Sequence, residues 1–168
     1  LRVLQTDVKI ASLALIEGRV DDAHTLTTQV LEQARQYEIM EPQLEAQVLL
    51  GDVEIARGDS LAAAGIYSEA LTQVRETSWT GMETSLEHKL ANAYMNIGDL
   101  DSVAPIAGSL AEKEPDLQIL LTRARFDFLR GSQGSAVELM SQAKNLAGPK
   151  WSDENEVLLQ SYLNTSPP

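Results

Sequence analysis

His24 and His88 are the only imidazoles in this 168-residue chain, so most of its scope for metal and acid–base chemistry rests on them. Neither has a second His four residues on, nor a Glu-x-x-His spacing, the arrangements that aim two ligands at one ion from one helix face. Both read as polar residues of a surface or groove. Asp21-Asp22 is a carboxylate pair, but at the head of a helix it serves as a cap and as a partner of the positive dipole end. Gly131-Ser-Gln-Gly-Ser135 has the glycines of a phosphate loop without its Gly-Lys-Ser/Thr ending or a preceding strand, so it reads as a turn. No Gly-x-Ser-x-Gly elbow accompanies the serines. The absence of cysteine removes disulfides, thiol catalysis and Cys-based zinc sites together. The expectation is a chain that is not an enzyme, with no catalytic, cofactor-binding or metal-binding residues and no cofactor.

The elements around these residues are helical by composition. Leu and Ala number 24 and 19 against 10 Val and 8 Ile, an excess of strong helix formers over β-branched residues. With 43% hydrophobic residues the chain has apolar side chain enough for a core. Its longest apolar stretches, such as Ile10 to Ile16 interrupted by Ser12, fall far below the roughly 18 to 20 residues that span a bilayer. Thirteen Lys and Arg stand against 25 Asp and Glu, giving a formal charge of −12. Acidic groups exceed basic ones in every third of the chain, a field that repels a phosphate backbone, so direct nucleic-acid binding is not expected. The start at Leu1, without Met or a signal-like segment, reads as a cut from a longer polypeptide.

A repeat organises the chain. In Ala11 to Gly18, Gly51 to Gly58, Ala91 to Gly98 and Ala124 to Gly131, a small residue precedes a Gly by seven places. The glycines are spaced by 40, 40 and 33 residues, and five places after each come Ala23, Ala63, Val103 and Ala136. Physically this is a helical hairpin. Helix A ends at the Gly, which turns without a Cβ clash, and helix B follows, with Asp59 and either Asp99 or Asp101 as N-caps. The small residue in helix A and its counterpart in helix B let the backbones approach where the helices cross. Helix B carries apolar stripes at helical spacing: Leu26, Val30, Leu31, Ala34; Ile66, Tyr67, Ala70, Leu71, Val74; and Val137, Leu139, Met140, Ala143. The third helix B, Asp101 to Glu114, contains Pro105 and Gly108, so it should fray unless Pro105 falls in the first turn. Gly148-Pro149 ends the last hairpin, and a ninth helix begins near Ser152 or Asp153, with Asp153-x-x-Glu156 as a capping box. Val157, Leu158 and Tyr162 should cover the end of the array. Trp79 reads as an inter-repeat packing residue and Trp151 as a staple for the last helix.

These residues resemble the tetratricopeptide repeat. A unit started at Leu44 places Leu50, Gly51, Gly58, Ala63, Tyr67 and Ala70 at the family's positions 7, 8, 15, 20, 24 and 27. A unit started at Thr84 places Leu90, Ala91, Tyr94, Gly98 and Pro115. HEAT and armadillo repeats share a period of about 40, but the Gly and Ala positions favour the tetratricopeptide pattern. The 40-residue steps resemble its longer-helix variety in bacterial regulators. The ending from Ala143 through Trp151 to Leu159 is similar to the C-terminal ends of repeat regions attached to bacterial winged-helix regulators and Ser/Thr kinases. Departures are plain: the first copy lacks both aromatics, and Glu54, Arg123 and Asp127 stand where the family is apolar or aromatic.

The resemblance implies an all-α fold, a right-handed solenoid of about four antiparallel hairpins plus a C-terminal capping helix. Its single domain is 1–163, with repeats near 4–43, 44–83, 84–116 and 117–150, a capping helix 152–163 and a tail 164–168. It also implies a concave groove lined by helices A: Gln5, Val8, Ser12, Leu15 and Ile16; Glu45, Val48, Asp52 and Ile55; Ser85, His88, Asn92, Met95 and Asn96; Gln118, Leu121, Arg125 and Phe128. Of these, Asp52, His88, Asn92, Asn96, Arg125 and Phe128 are the expected partner-binding residues. Arg125 either forks onto a partner's carboxylate or pairs with Asp127 or Asp52. The implied function is a non-catalytic protein-interaction scaffold holding a partner's peptide or helix, as part of a larger bacterial regulatory protein. The alternative is a ligand-sensing domain attached to a kinase or winged-helix regulator. The compartment would be bacterial cytoplasm, or periplasm if the whole is membrane-anchored. A terminal helix is also a surface through which such arrays form homodimers.

Overall fold

A computed structural model describes residues 2–77 and 80–164. All regular structure among the described residues is helical: α1 (Arg2–Ile16), α2 (Val20–Gln36), α3 (Met40–Arg57), α4 (Ser60–Thr77), α5 (Glu83–Ile97), α6 (Leu100–Ala111), α7 (Leu117–Leu129), α8 (Gln133–Ala147) and α9 (Asp153–Asn164). Short 3-10 turns occupy Thr80–Met82 and Gly148–Lys150. The contacts fall into two compact units, Leu1–Ala93 and Tyr94–Pro168, dividing within α5.

The turns come from the glycines. Gly18, Gly58, Gly98 and Gly131 all have φ between 75° and 85°. Each sits in a pair of bonds that satisfies the last carbonyls of helix A. At the second turn Gly58 N–H donates to Ile55 O at 3.0 Å and Asp59 N–H to Glu54 O at 2.9 Å, the Schellman pattern that only a left-handed residue closes. The next helix is then capped: Asp59 Oδ1 accepts from Ala62 N–H at 2.9 Å, and Asp99, rather than Asp101, accepts from Ser102 N–H at 3.1 Å. Asp116 does the same for α7 through Ile119 N–H at 2.7 Å. Each such cap is worth about 1 kcal/mol. The head of α2 differs from expectation, because its N-cap position is Arg19, without a side-chain cap. Asp21 and Asp22 sit inside the first turn as dipole partners, and Asp22 pairs with Arg19 at 2.9 Å.

In unit 1, α1 packs on α2 and α3, α2 on α3, and α3 on α4. Its crossings are built from small residues: Ala11, Ala23 and Ala63 are fully buried, and a Cβ added to Gly51 would overlap the Tyr67 ring. Arg75 of α4 joins α5 through Glu83 at 2.9 Å and the fully buried Glu87 at 2.8 Å.

In unit 2, α6 packs on α7, α7 on α8 and α8 on α9. Pro105 lies six residues into α6, beyond the first turn, yet the helix runs regularly to Ala111. The expected fraying is corrected. The buried stripe of Val103, Ile106, Ala107 and Leu110 and the Asp99 cap outweigh the missing N–H and ring clash, a cost of about 3 kcal/mol in a helix interior. The last helix is capped by Ser152, whose Oγ accepts from Asn155 N–H at 3.2 Å, not by a box from Asp153 to Glu156. It covers the hairpin with Leu158, Leu159 and Tyr162, while Val157 faces solvent. Trp151 packs at the same cluster and donates from Nε1 to Glu156 at 2.9 Å. Trp79 and residues 165–168 lie outside the described residues.

Candidate partner-binding groove

Helices α1 and α3 turn one face each toward a shared cleft. Val8 and Ser12 are one turn apart on α1, as are Glu45 and Leu49, and Val48 and Asp52, on α3. Together with Lys9 and with Met82 of the 3-10 turn they line a cavity of about 300 Å³ within unit 1. Its lining sorts by chemistry. Val8, Val48, Leu49 and Met82 make an apolar floor, and Lys9, Ser12, Glu45 and Asp52 supply the polar groups. Five of the helix-A positions implied by the resemblance, Val8, Ser12, Glu45, Val48 and Asp52, meet here. Burial pushes the Glu45 carboxyl up from its ordinary value, Glu41 adds to that shift, and Lys9 opposes it.

Asp52 is held from two sides. Tyr67 donates its hydroxyl to Asp52 Oδ1 at 2.6 Å, and Lys89 Nζ pairs with the same oxygen while standing 5.9 Å from the centroid of the Tyr67 ring. One residue each from α3, α4 and α5 is thus clasped at the groove. Burial first, and then the Asp52 carboxylate, push the Tyr67 phenol up, so it stays a donor.

The other expected residues divide. His88 is 5% exposed, so little of its side chain reaches the surface. Helix α5 buries Leu86, Glu87, His88, Leu90 and Ala91, a face wider than a single groove-and-core division allows. Asn92 turns back on its own helix, its Nδ2 donating to the His88 carbonyl at 2.9 Å. In unit 2, Arg125 donates to Asn96 Oδ1 at 2.8 Å. Asp127 accepts from Ser135 Oγ. Phe128 is half-buried, and its ring stacks on Tyr162 with centroids 4.2 Å apart and planes 9° apart. It anchors the capping helix.

Sequence reasoning missed Lys9, Leu49 and Met82 in the cavity, and the buried Glu87 with its Arg75. The one available signal was Glu83 and Glu87 at i,i+4, opposite the Arg near the end of the preceding helix. His24 Nε2 lies 3.5 Å from Glu54 Oε1, which Arg57 shares at 3.3 Å. That explains a carboxylate at a position the repeat usually keeps apolar. Among the described residues no group of three or more His, Asp or Glu comes together to hold a metal ion, and no helix is long and apolar enough to cross a membrane.

Solved structures with this architecture include the nearly identical TPR-like repeats of a candidate kinesin light chain from Podosopora anserina. A single-substitution variant of it superposes with a TM-score of 0.72 at 22% identity, over 95% of this chain and 82% of that one. The other superposes with a TM-score of 0.71 at 21% identity, over 95% and 83%. Likeness at that identity shows the fold: an all-α array of TPR-like helical repeats. No protein-family model and no curated protein sequence matches the chain.

Proposed function

We propose that this chain is a non-catalytic protein-interaction module that holds a segment of another protein on the helix-A face of residues 1–93. The observation that carries the reading is the cavity of about 300 Å³, lined by four apolar and four polar side chains. A floor of Val8, Val48, Leu49 and Met82 suits an apolar anchor side chain, while Ser12, Glu45 and Asp52 suit the backbone and polar neighbours of an extended peptide or helix. Residues 1–93 hold 7 Lys and Arg against 15 Asp and Glu. The complementary segment is therefore an apolar anchor flanked by Lys or Arg, steered in by that field. In unit 2, Arg125 and Asn96, already paired, form a separate polar surface for a partner's carboxylate.

Phage-displayed random peptides selected on the wild-type chain provide the test, with affinities measured by isothermal titration. Selected peptides should carry a large apolar residue beside basic ones. A Val48→Glu variant should weaken them by about tenfold or more, each tenfold being about 1.4 kcal/mol, with a melting curve close to that of wild type. Binders that ignore this variant would place recognition elsewhere and remove the groove reading.

A further inference from the structure

Two carboxylates line the cavity of unit 1, and they differ in what already engages them. Asp52 is committed within the molecule: the Tyr67 hydroxyl donates to its Oδ1 at 2.6 Å, and the Lys89 ammonium pairs with the same oxygen. Glu45 stands two turns earlier on α3, half-buried at the same cavity. Among the described residues no N–H or O–H donates to its carboxylate, and no cation stands within ion-pair distance of it. Burial and the neighbouring Glu41 act against its charge, and Lys9 of α1 opposes them only from longer range. A carboxylate so placed does nothing to hold the fold together, and both its oxygens remain open as acceptors.

The rest of the lining narrows what could fill that need. Val8, Val48, Leu49 and Met82 are apolar, so a cation that reaches Glu45 among them must carry its charge on an apolar stem. Lys and Arg both have one, but only a guanidinium offers a planar fork that matches two free carboxylate oxygens. Ser12, in the same lining, adds a hydroxyl that can accept from a remaining N–H. We propose that Glu45 is the specificity-determining residue of this groove and reads an arginine of the partner segment. The inference rests on the groove reading and deepens it, because it names the partner residue that is read and the atoms that read it. Asp52, already engaged by Lys89, shapes the cavity wall without choosing the ligand.

A random dodecapeptide phage library selected in parallel on the wild-type chain and on Glu45→Gln tests it. Wild type should enrich Arg over Lys beside the apolar residue, and Glu45→Gln should lose that preference while keeping the apolar one. Glu45→Lys should enrich Asp or Glu at the same place. Isothermal titration then compares a peptide selected on wild type with forms whose Arg is replaced by Lys or by citrulline, which has the shape of Arg without its charge. Citrulline should weaken binding to wild type by about tenfold or more, and Lys by less. Neither exchange should matter to Glu45→Gln, the coupling expected of a direct pair. Because its carboxylate has no bond within the chain, Glu45→Gln should melt no lower than wild type; a lower melting temperature would make the residue structural and overturn the proposal. Peptides that lose affinity with Val48→Glu but not with Glu45→Gln would overturn the arginine assignment and leave the groove standing. Peptides indifferent to both variants would overturn both.

Discussion

A single missing Cβ makes room for the Tyr67 ring where α3 meets α4. Gly51 faces the ring of Tyr67, and an added methyl would overlap ring carbons of a side chain that is 1% exposed and cannot swing aside. Two effects oppose each other in Gly51→Ala. Ala is the better helix former by about 0.5–1 kcal/mol, but overpacking costs about 1–3 kcal/mol, so the substitution should destabilise. In a Tyr67→Leu background the overlap is gone and the sign should reverse, which urea midpoints of the four proteins in the cycle would show. Glu38 offers the opposite case. It stands at φ 53° between α2 and α3, and its turn has the same bonds as the glycine turns, with Glu38 N–H to Arg35 O at 3.2 Å and Ile39 N–H to Ala34 O at 2.9 Å. Glu38→Gly should therefore stabilise by about 0.5–1 kcal/mol, and an unchanged or lower urea midpoint would refute the strain. The glycine pattern was legible in the sequence because φ restricts residue type. Glu38 was not, because nothing local distinguishes a strained Glu from a helical one.

At the level of elements, the docking of α9 is tied to one carboxylate. Lys144 above all, then Gln160 and Trp151, bond Glu156 and hold its carboxyl down at about 2, against an ordinary value of 4.5. A folded-state value below the unfolded one stabilises the fold fully above the unfolded value and is lost as pH falls toward the folded one. The window therefore runs from about pH 4.5 down to 2. Wild type and Glu156→Gln should differ in urea midpoint at pH 6, and the difference should vanish near pH 2. A gap independent of pH would mean that the carboxylate is not what matters. The sequence announced this helix, but it assigned Glu156 to a capping box. Ser152 wins the cap because the helix starts at Asp153, which frees Glu156 to reach Lys144 on α8.

At the scale of the whole molecule, 25 carboxylates against 13 basic side chains make self-repulsion a term in stability. Raising NaCl from about 0.02 to 0.5 M shortens the screening length several-fold, so the melting temperature should rise. A fall would show that the ion pairs of Arg75, Lys89 and Lys144 outweigh the net field. The sequence by itself determined the helical class, the paired helices, their small-residue crossings and the turns. Each of those follows from local restrictions on φ, from helix propensity and from a period of 3.6 residues that recurs in units of 33 to 40 residues. It also pointed to Val8, Ser12, Glu45, Val48 and Asp52 as helix-A residues of one face. Which polar side chains remain available was decided only by the tertiary structure. Burial of His88, stacking of Phe128 on Tyr162, and the partners of Asp52, Arg125 and Glu87 depend on helices up to 37 residues away in sequence. A side chain's exposure is set by what packs over it, and neither its type nor its own helix carries that information.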